Sequence, residues 1–254
     1  MTVALHHLST GEPDRPAVLL GSSVGATADM WRPQLRDLAG EYQLVAFDHR
    51  GHGGSPVPPG PYGVDEMARD VLALADRLGL DRFHYVGLSL GGAVGQELAL
   101  QAPDRLRSLS LVCTAATFGS AFAERAARVR AEGMGWLVET TRGRWFTPEI
   151  SGDQAAHADD VMAAFAATSP EGYAASCDAL ARFDTRGWLE QVTTPTMVVS
   201  GSDDPATPPS AGEVLAAGID GATFHVVEHA SHLANVEQPR AVTDLLRTHL
   251  EAHA

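Results

Sequence analysis

The sequence predicts an α/β fold: a mostly parallel, doubly wound sheet interrupted by an all-helical insertion. Three observations predict it. Short apolar runs bounded by Gly, Pro or Asp alternate with longer segments of helical period. Several of those runs are apolar at every position, as strands are when helices cover both faces of a parallel sheet. One long stretch, residues 118–188, holds no strand-like run at all.

In chain order, strands are expected at Ala17–Leu20 and Leu44–Phe47. Val64–Leu78 then reads as a helix, because Val64, Met67, Ala68, Val71, Leu72, Ala75 and Leu78 fall on one stripe and Gly79 stops it. A strand at Phe83–Val86, a helix at Leu90–Gln101 and a strand at Leu106–Cys113 follow. After the insertion come strands at Met197–Ser200 and Ala222–Val227 and a last helix at Pro239–His249. Alternation of this kind implies right-handed crossovers. The expected organisation is one structural domain plus a lid, with residues 1–117 and 189–254 building the core and 118–188 the lid. The insertion is Ala-rich yet carries Phe118, Phe122, Trp136, Trp145 and Phe165, so it must bury an apolar face. The carboxyl edge of the sheet, where open α/β folds place their ligands, is the surface it should cover.

Composition narrows the chemistry. Among 254 residues there are 18 basic and 32 acidic side chains, a net charge of −14. That balance opposes nucleic acid and anionic membrane as partners. Every basic residue is Arg, which excludes Schiff-base and pyridoxal chemistry, a Ser–Lys dyad and a phosphate-loop lysine. The two cysteines, Cys113 and Cys177, make neither a disulfide framework nor a four-cysteine metal site. Met1–Thr10 has no basic segment leading into an apolar run, and no window approaches ~18 uninterrupted apolar residues. A soluble cytoplasmic protein is the expectation.

The central signal is Gly87-Leu88-Ser89-Leu90-Gly91-Gly92, directly after a strand and directly before a helix. So sharp a reversal leaves no room for side chains two positions either side of Ser89, which accounts for Gly87 and Gly91. It also puts Ser89 at a helix N-terminus, where the Leu90 N–H can face a developing oxyanion. A serine needs a base and a group to orient that base, and in this fold class the chain order is Ser, Asp or Glu, then His. Gly201-Ser202-Asp203-Asp204-Pro205-Ala206-Thr207-Pro208 and Glu228-His229-Ala230-Ser231-His232 follow the last two strands and offer two candidates each. Asp204 is preferred as the fourth position of G-x-x-D-x-x-T-P, with Asp203 a solvated turn residue. His232 is preferred because it opens the loop into the final helix, with His229 packing or capping. The second oxyanion donor is expected from Gly21-Ser22-Ser23-Val24-Gly25, through the Val24 N–H. In Asp48-His49-Arg50-Gly51-His52-Gly53-Gly54-Ser55, His49 and His52 lack further ligands, so no metal is expected and Asp48 and Arg50 should brace a turn. No nucleotide-binding pattern occurs, and no cofactor is expected.

These motifs resemble the α/β-hydrolase family, and more narrowly the 3-oxoadipate enol-lactonases. The narrower likeness rests on Ser22-Ser23-Val24-Gly25 with Met30-Trp31, on Ala127–Met134 and Arg144-Trp145-Phe146-Thr147-Pro148 with Trp136 between them, and on Ala230–Asn235. The resemblance implies hydrolysis of an anionic enol-lactone to 3-oxoadipate in bacterial aromatic catabolism, through an acyl-serine on Ser89 with His232 as base and Asp204 behind it. It implies a small-molecule anionic lactone as partner. Ser23, Trp136, Arg130 and Arg144 are the expected substrate contacts, with Arg128 a further candidate for the carboxylate. Competing readings on the same scaffold are a small-ester carboxylesterase, a perhydrolase-type enzyme and a C–C bond hydrolase. A ligand receptor that keeps the fold is the alternative from another class. A dehalogenase would carry Asp where Ser89 stands.

Overall fold

The computed structural model describes residues 1–254. Its strands are β1 (His7–Thr10), β2 (Ala17–Gly21), β3 (Gln43–Phe47), β4 (Phe83–Leu88), β5 (Leu106–Val112), β6 (Thr196–Gly201) and β7 (Thr223–Val227). They form one seven-stranded sheet in the order β1-β3-β2-β4-β5-β6-β7. β1 runs antiparallel to β3, and every other pair is parallel. β2, β4 and β6 are buried along their whole length, which is why each reads as a continuous apolar run. β1 was not among the expected strands. Its His-Leu-Ser-Thr sequence is partly exposed at the sheet edge and takes its conformation from pairing with β3 rather than from an apolar run of its own. The expected strand Leu106–Cys113 stops one residue earlier, because Cys113 turns to φ +42°.

Helices α1 (Arg32–Leu38), α2 (Val64–Arg77) and α3 (Leu90–Gln101) cover the first half of the sheet. In α2 the Gly63 N–H donates to Glu66 at 3.1 Å at the start, and Gly79 at φ +70° ends the run. Between β5 and β6 lie α4 (Ala121–Glu132), α5 (Val138–Trp145), α6 (Gly152–Ala166) and α7 (Pro170–Arg182). The chain returns through α8 (Pro209–Gly218), the single turn α9 (Ala234–Glu237) and α10 (Pro239–Glu251). The short α1 and α8 lack a stripe long enough to stand out in the sequence.

The inserted helices have an aromatic centre of their own: Trp145 meets Phe165 edge-on at 5.1 Å between ring centroids, and Phe165 meets Tyr173 at 5.7 Å. α7 docks on the core backbone to backbone, since a Cβ on Gly172 would lie 2.1 Å from the Gly51 carbonyl oxygen. α4 packs chiefly on α7, and it is bounded by Gly119 at φ +79° and Gly133 at φ +76°. No helix is long and apolar enough to cross a membrane.

Candidate active site

β4 ends at Leu88, and the chain reverses through Ser89 into α3. Ser89 sits at φ +56°, ψ −111°, a conformation that side chains with a Cβ rarely adopt. Its neighbours hold it there: the Ser89 N–H donates to Val112 O at 3.0 Å, and Thr114 Oγ1 donates to Ser89 O at 2.8 Å. The glycines around it are a matter of space. A Cβ on Gly87 would lie 2.1 Å from Gly91 O, and one on Gly91 would lie 2.2 Å from Gly21 O. The Tyr85 hydroxyl closes the turn from below by donating to Gly91 O at 3.0 Å.

Beyond β6, Asp204 folds back on its own loop. Its Oδ1 accepts the N–H groups of Ala206 at 2.7 Å and Thr207 at 3.1 Å. Its Oδ2 accepts the Thr207 hydroxyl at 2.7 Å and lies 2.8 Å from His232 Nδ1, so that Nδ1 carries the proton. Burial works to raise the Asp204 pKa, but the imidazole beside it and the hydrogen bonds from His232 and Thr207 prevail and hold it below the usual carboxylate range. Asp203 is exposed and accepts only the Ser202 hydroxyl through its side chain, at 2.8 Å. His229 is exposed too, at φ +56°, and its backbone N–H donates to Ser202 Oγ.

Ser89 and His232 line one cavity of about 370 Å³, together with Val24. His232 Nε2 has no protein partner. The Val24 N–H has no backbone acceptor, and Leu90 opens α3, whose first-turn N–H groups have no intrahelical acceptor. The loop bearing Val24 is braced from behind. Ser22 O accepts the Gly91 N–H at 3.0 Å and His49 Nε2–H at 3.1 Å, and burial pushes the His49 imidazole down to about 3, so it stays neutral. Asp48 accepts the N–H groups of Ala28 and Gly54 at 2.7 and 2.9 Å, which is the expected turn bracing. Arg50 instead forms a buried pair with Asp70, its Nε 2.7 Å from Oδ2.

Pro205, Ala206 and Thr207 of the loop after β6 add to the walls, and the rest come from the inserted segment: Phe118, Phe122, Trp145 and Tyr173 among them, with Arg125 and Arg144. No Asp or Glu lines the cavity. Of the expected substrate contacts, only Arg144 reaches it. Arg130 is turned outward to Glu171 at 2.9 Å and Asp178 at 2.8 Å. Trp136 packs within the insertion, with the Arg128 guanidinium 3.8 Å above its ring and Arg128 also paired to Glu132. The Ser23 hydroxyl is buried outside the cavity, beside the contact of its N–H with Met30 Sδ at 3.5 Å. Sequence reasoning missed Arg125 and Tyr173. The signal for Arg125 was there, since it falls one helical turn after Ala121 and Phe122, both wall residues.

Behind His232 the inserted segment is tied to the imidazole-bearing loop. The Ser231 hydroxyl donates to Arg144 O at 2.8 Å, and the Leu233 N–H donates to Trp145 O at 3.0 Å. The Glu237 carboxylate accepts the N–H groups of Thr147 and Ser231, each at 2.7 Å, and the Thr147 hydroxyl as well.

Comparison with known proteins agrees with this layout. Residues 16–149 match the α/β-hydrolase fold family, and residues 166–253 match a TAP-like family. The chain is 39% identical to 3-oxoadipate enol-lactonase 2 of Acinetobacter baylyi, over 94% of this chain and 90% of that protein. It is 36% identical to RutD of Variovorax paradoxus, provisionally named a carbamate hydrolase, over 92% of this chain and 91% of the relative. The crystal structure of the enol-lactonase from Burkholderia xenovorans LB400 superposes with a TM-score of 0.94 at 35% identity, covering 98% of this chain and 97% of that one. With a mostly parallel sheet, a serine at its strand-to-helix reversal and these relatives, the chain belongs to the α/β-hydrolase family and is a hydrolase.

Proposed function

We propose that the protein is a serine hydrolase that opens an anionic enol-lactone, yielding 3-oxoadipate or a close analogue. The observation that carries the proposal is that Ser89 faces the same 370 Å³ cavity as His232, whose Nδ1 is held 2.8 Å from Asp204 Oδ2. In the first step Ser89 Oγ attacks the lactone carbonyl while His232 Nε2 takes its proton, and Asp204 holds the other ring nitrogen protonated. The Val24 and Leu90 N–H groups receive the oxyanion; removing one such donor typically costs ~10²–10³ in rate. Collapse breaks the ring C–O bond, the enol oxygen leaves with the proton from His232, and the enol becomes a ketone. Water, deprotonated by His232, then attacks the acyl-serine and releases a carboxylate and Ser89.

The names of the relatives at 39% identity and at TM-score 0.94 support this choice among hydrolases. A cavity lined by two arginines and by no Asp or Glu suits an anion. The proposal includes work in the cytoplasm, to which two free, buried cysteines are suited. The RutD relative favours a second reading, carbamate hydrolysis by the same residues. The test follows the loss of enol-lactone absorbance with purified protein, beside an aryl acetate and a simple carbamate. Enol-lactone is expected to give the highest kcat/KM, with turnover abolished in a folded Ser89→Ala variant. A large preference for either other substrate, or wild-type turnover by Ser89→Ala, refutes the proposal.

A further inference from the structure

Of the 18 arginines, most are engaged with carboxylates at the surface, as 32 acidic residues would dictate. Arg125 and Arg144 are different. Neither forms an ion pair within the chain, and both line the cavity that holds Ser89 and His232. The Arg125 guanidinium is stacked on Phe122, 4.5 Å from the ring centroid, and lies beside the buried phenol of Tyr173. That stacking fixes the plane of the guanidinium and leaves its N–H edge free to donate. Arg144 is anchored through its own carbonyl, which accepts the Ser231 hydroxyl at 2.8 Å, one residue from His232. Two arginines without a carboxylate partner thus stand at the cavity that holds Ser89, free to meet an anionic ligand.

We infer that Arg125 and Arg144 form a carboxylate-selecting subsite that extends the enzyme's range beyond a cyclic substrate to open-chain half-esters of short dicarboxylic acids. The inference rests on the serine-hydrolase reading above. Ring closure is irrelevant to the contacts described. What the cavity offers is an acyl position at Ser89 and a guanidinium pair for a second carboxylate on the same acyl chain. The step is ordinary ester hydrolysis: the Ser89 Oγ–acyl bond forms, the ester C–O bond breaks, and the alcohol or phenol leaves with the proton from His232. Water then releases the dicarboxylate. The same subsite makes short dicarboxylates, which present a carboxylate at each end, competitive inhibitors.

The experiment compares 4-nitrophenyl hydrogen glutarate with the similar-sized, neutral 4-nitrophenyl butyrate. It uses the full chain and its Arg125→Gln and Arg144→Gln variants, each checked for fold by circular dichroism. The readout is the ratio of the two kcat/KM values. The wild type is expected to favour the half-ester by at least about 10-fold, and the ratio to drop by about 10–100-fold in the variants, chiefly through KM, as loss of a charge-assisted hydrogen bond costs. A binding measurement needs no turnover: glutarate is expected to raise the melting temperature of Ser89→Ala, and not of Ser89→Ala/Arg125→Gln/Arg144→Gln. A wild-type ratio near one, or a ratio unchanged in both variants, overturns the inference. Failure of the serine-hydrolase reading would show differently, as turnover of either ester surviving in Ser89→Ala.

Discussion

Replacing Asp204 by Asn tests the site at its least obvious member, and the structure dictates how the substitution acts. Asp204 Oδ1 accepts two backbone N–H groups, from Ala206 and Thr207, so an asparagine must keep its carbonyl oxygen there. Its NH₂ group then occupies the Oδ2 position, 2.8 Å from His232 Nδ1, with Thr207 Oγ1 able to rotate and accept. An NH₂ group donates, so Nδ1 must give up its proton and Nε2 must carry one. The imidazole then presents an N–H to Ser89 where a lone pair is required. The substitution leaves shape intact and inverts the tautomer, and the expected loss is about 10⁴-fold in kcat near neutral pH, ~5 kcal/mol in barrier. The assay is the pH dependence of kcat/KM for enol-lactone or aryl ester, with the melting temperature as the check on fold. Residual activity should climb with hydroxide at alkaline pH. Asp203→Asn, one residue away and exposed, should change kcat/KM by less than about 3-fold. If Asp204→Asn kept more than about a tenth of the wild-type kcat/KM, or if Asp203→Asn were the damaging change, the tautomer argument would be wrong.

Gly87→Ala forces a Cβ to within 2.1 Å of the Gly91 carbonyl oxygen, backbone that cannot move without dragging Ser89, so unfolding free energy should fall by more than about 3 kcal/mol in urea denaturation. A loss under about 1 kcal/mol would show that the turn yields. Trp136→Ala should lower the melting temperature while KM stays within about 2-fold, because the indole packs inside the insertion and away from the cavity; a large KM rise would contradict that placement. The fold should also weaken in acid. Burial pushes His84 and His249 down from the ordinary histidine value to about 4, so the folded state resists protons that the unfolded chain binds. Their stabilising contribution is complete above ~6.5 and drains as pH falls toward 4, on the order of 2 kcal/mol per imidazole by pH 5. Melting curves at pH 7.5 and 5 should separate less in His249→Gln than in the wild type.

The parts of the fold that could be read from sequence are those whose apolar pattern is dictated by burial on both faces. β4 is buried at every residue and could hardly be mistaken. β1 could not be seen, because a half-exposed edge strand of His, Leu, Ser and Thr carries no apolar signature and owes its form to β3. At the candidate site, Ser89 announced itself through the glycines that its sharp turn requires, and Asp204 and His232 through their places after two strands. The residues of the insertion were a different problem. Arg128, Arg130 and Arg144 stood out by their motifs, yet Arg128 and Arg130 face Glu132, Glu171 and Asp178 on the surface, and only the phase of α4 tells Arg125 from them. Phase within a short amphipathic helix becomes legible only once its neighbour is known, here α7.

The hydrogen bonds joining Arg144, Trp145 and Thr147 to Ser231, Leu233 and Glu237 weld a stretch of roof to the loop that carries His232. Prising the roof away on that side would drag the imidazole off its carboxylate, so entry there and readiness for chemistry exclude one another.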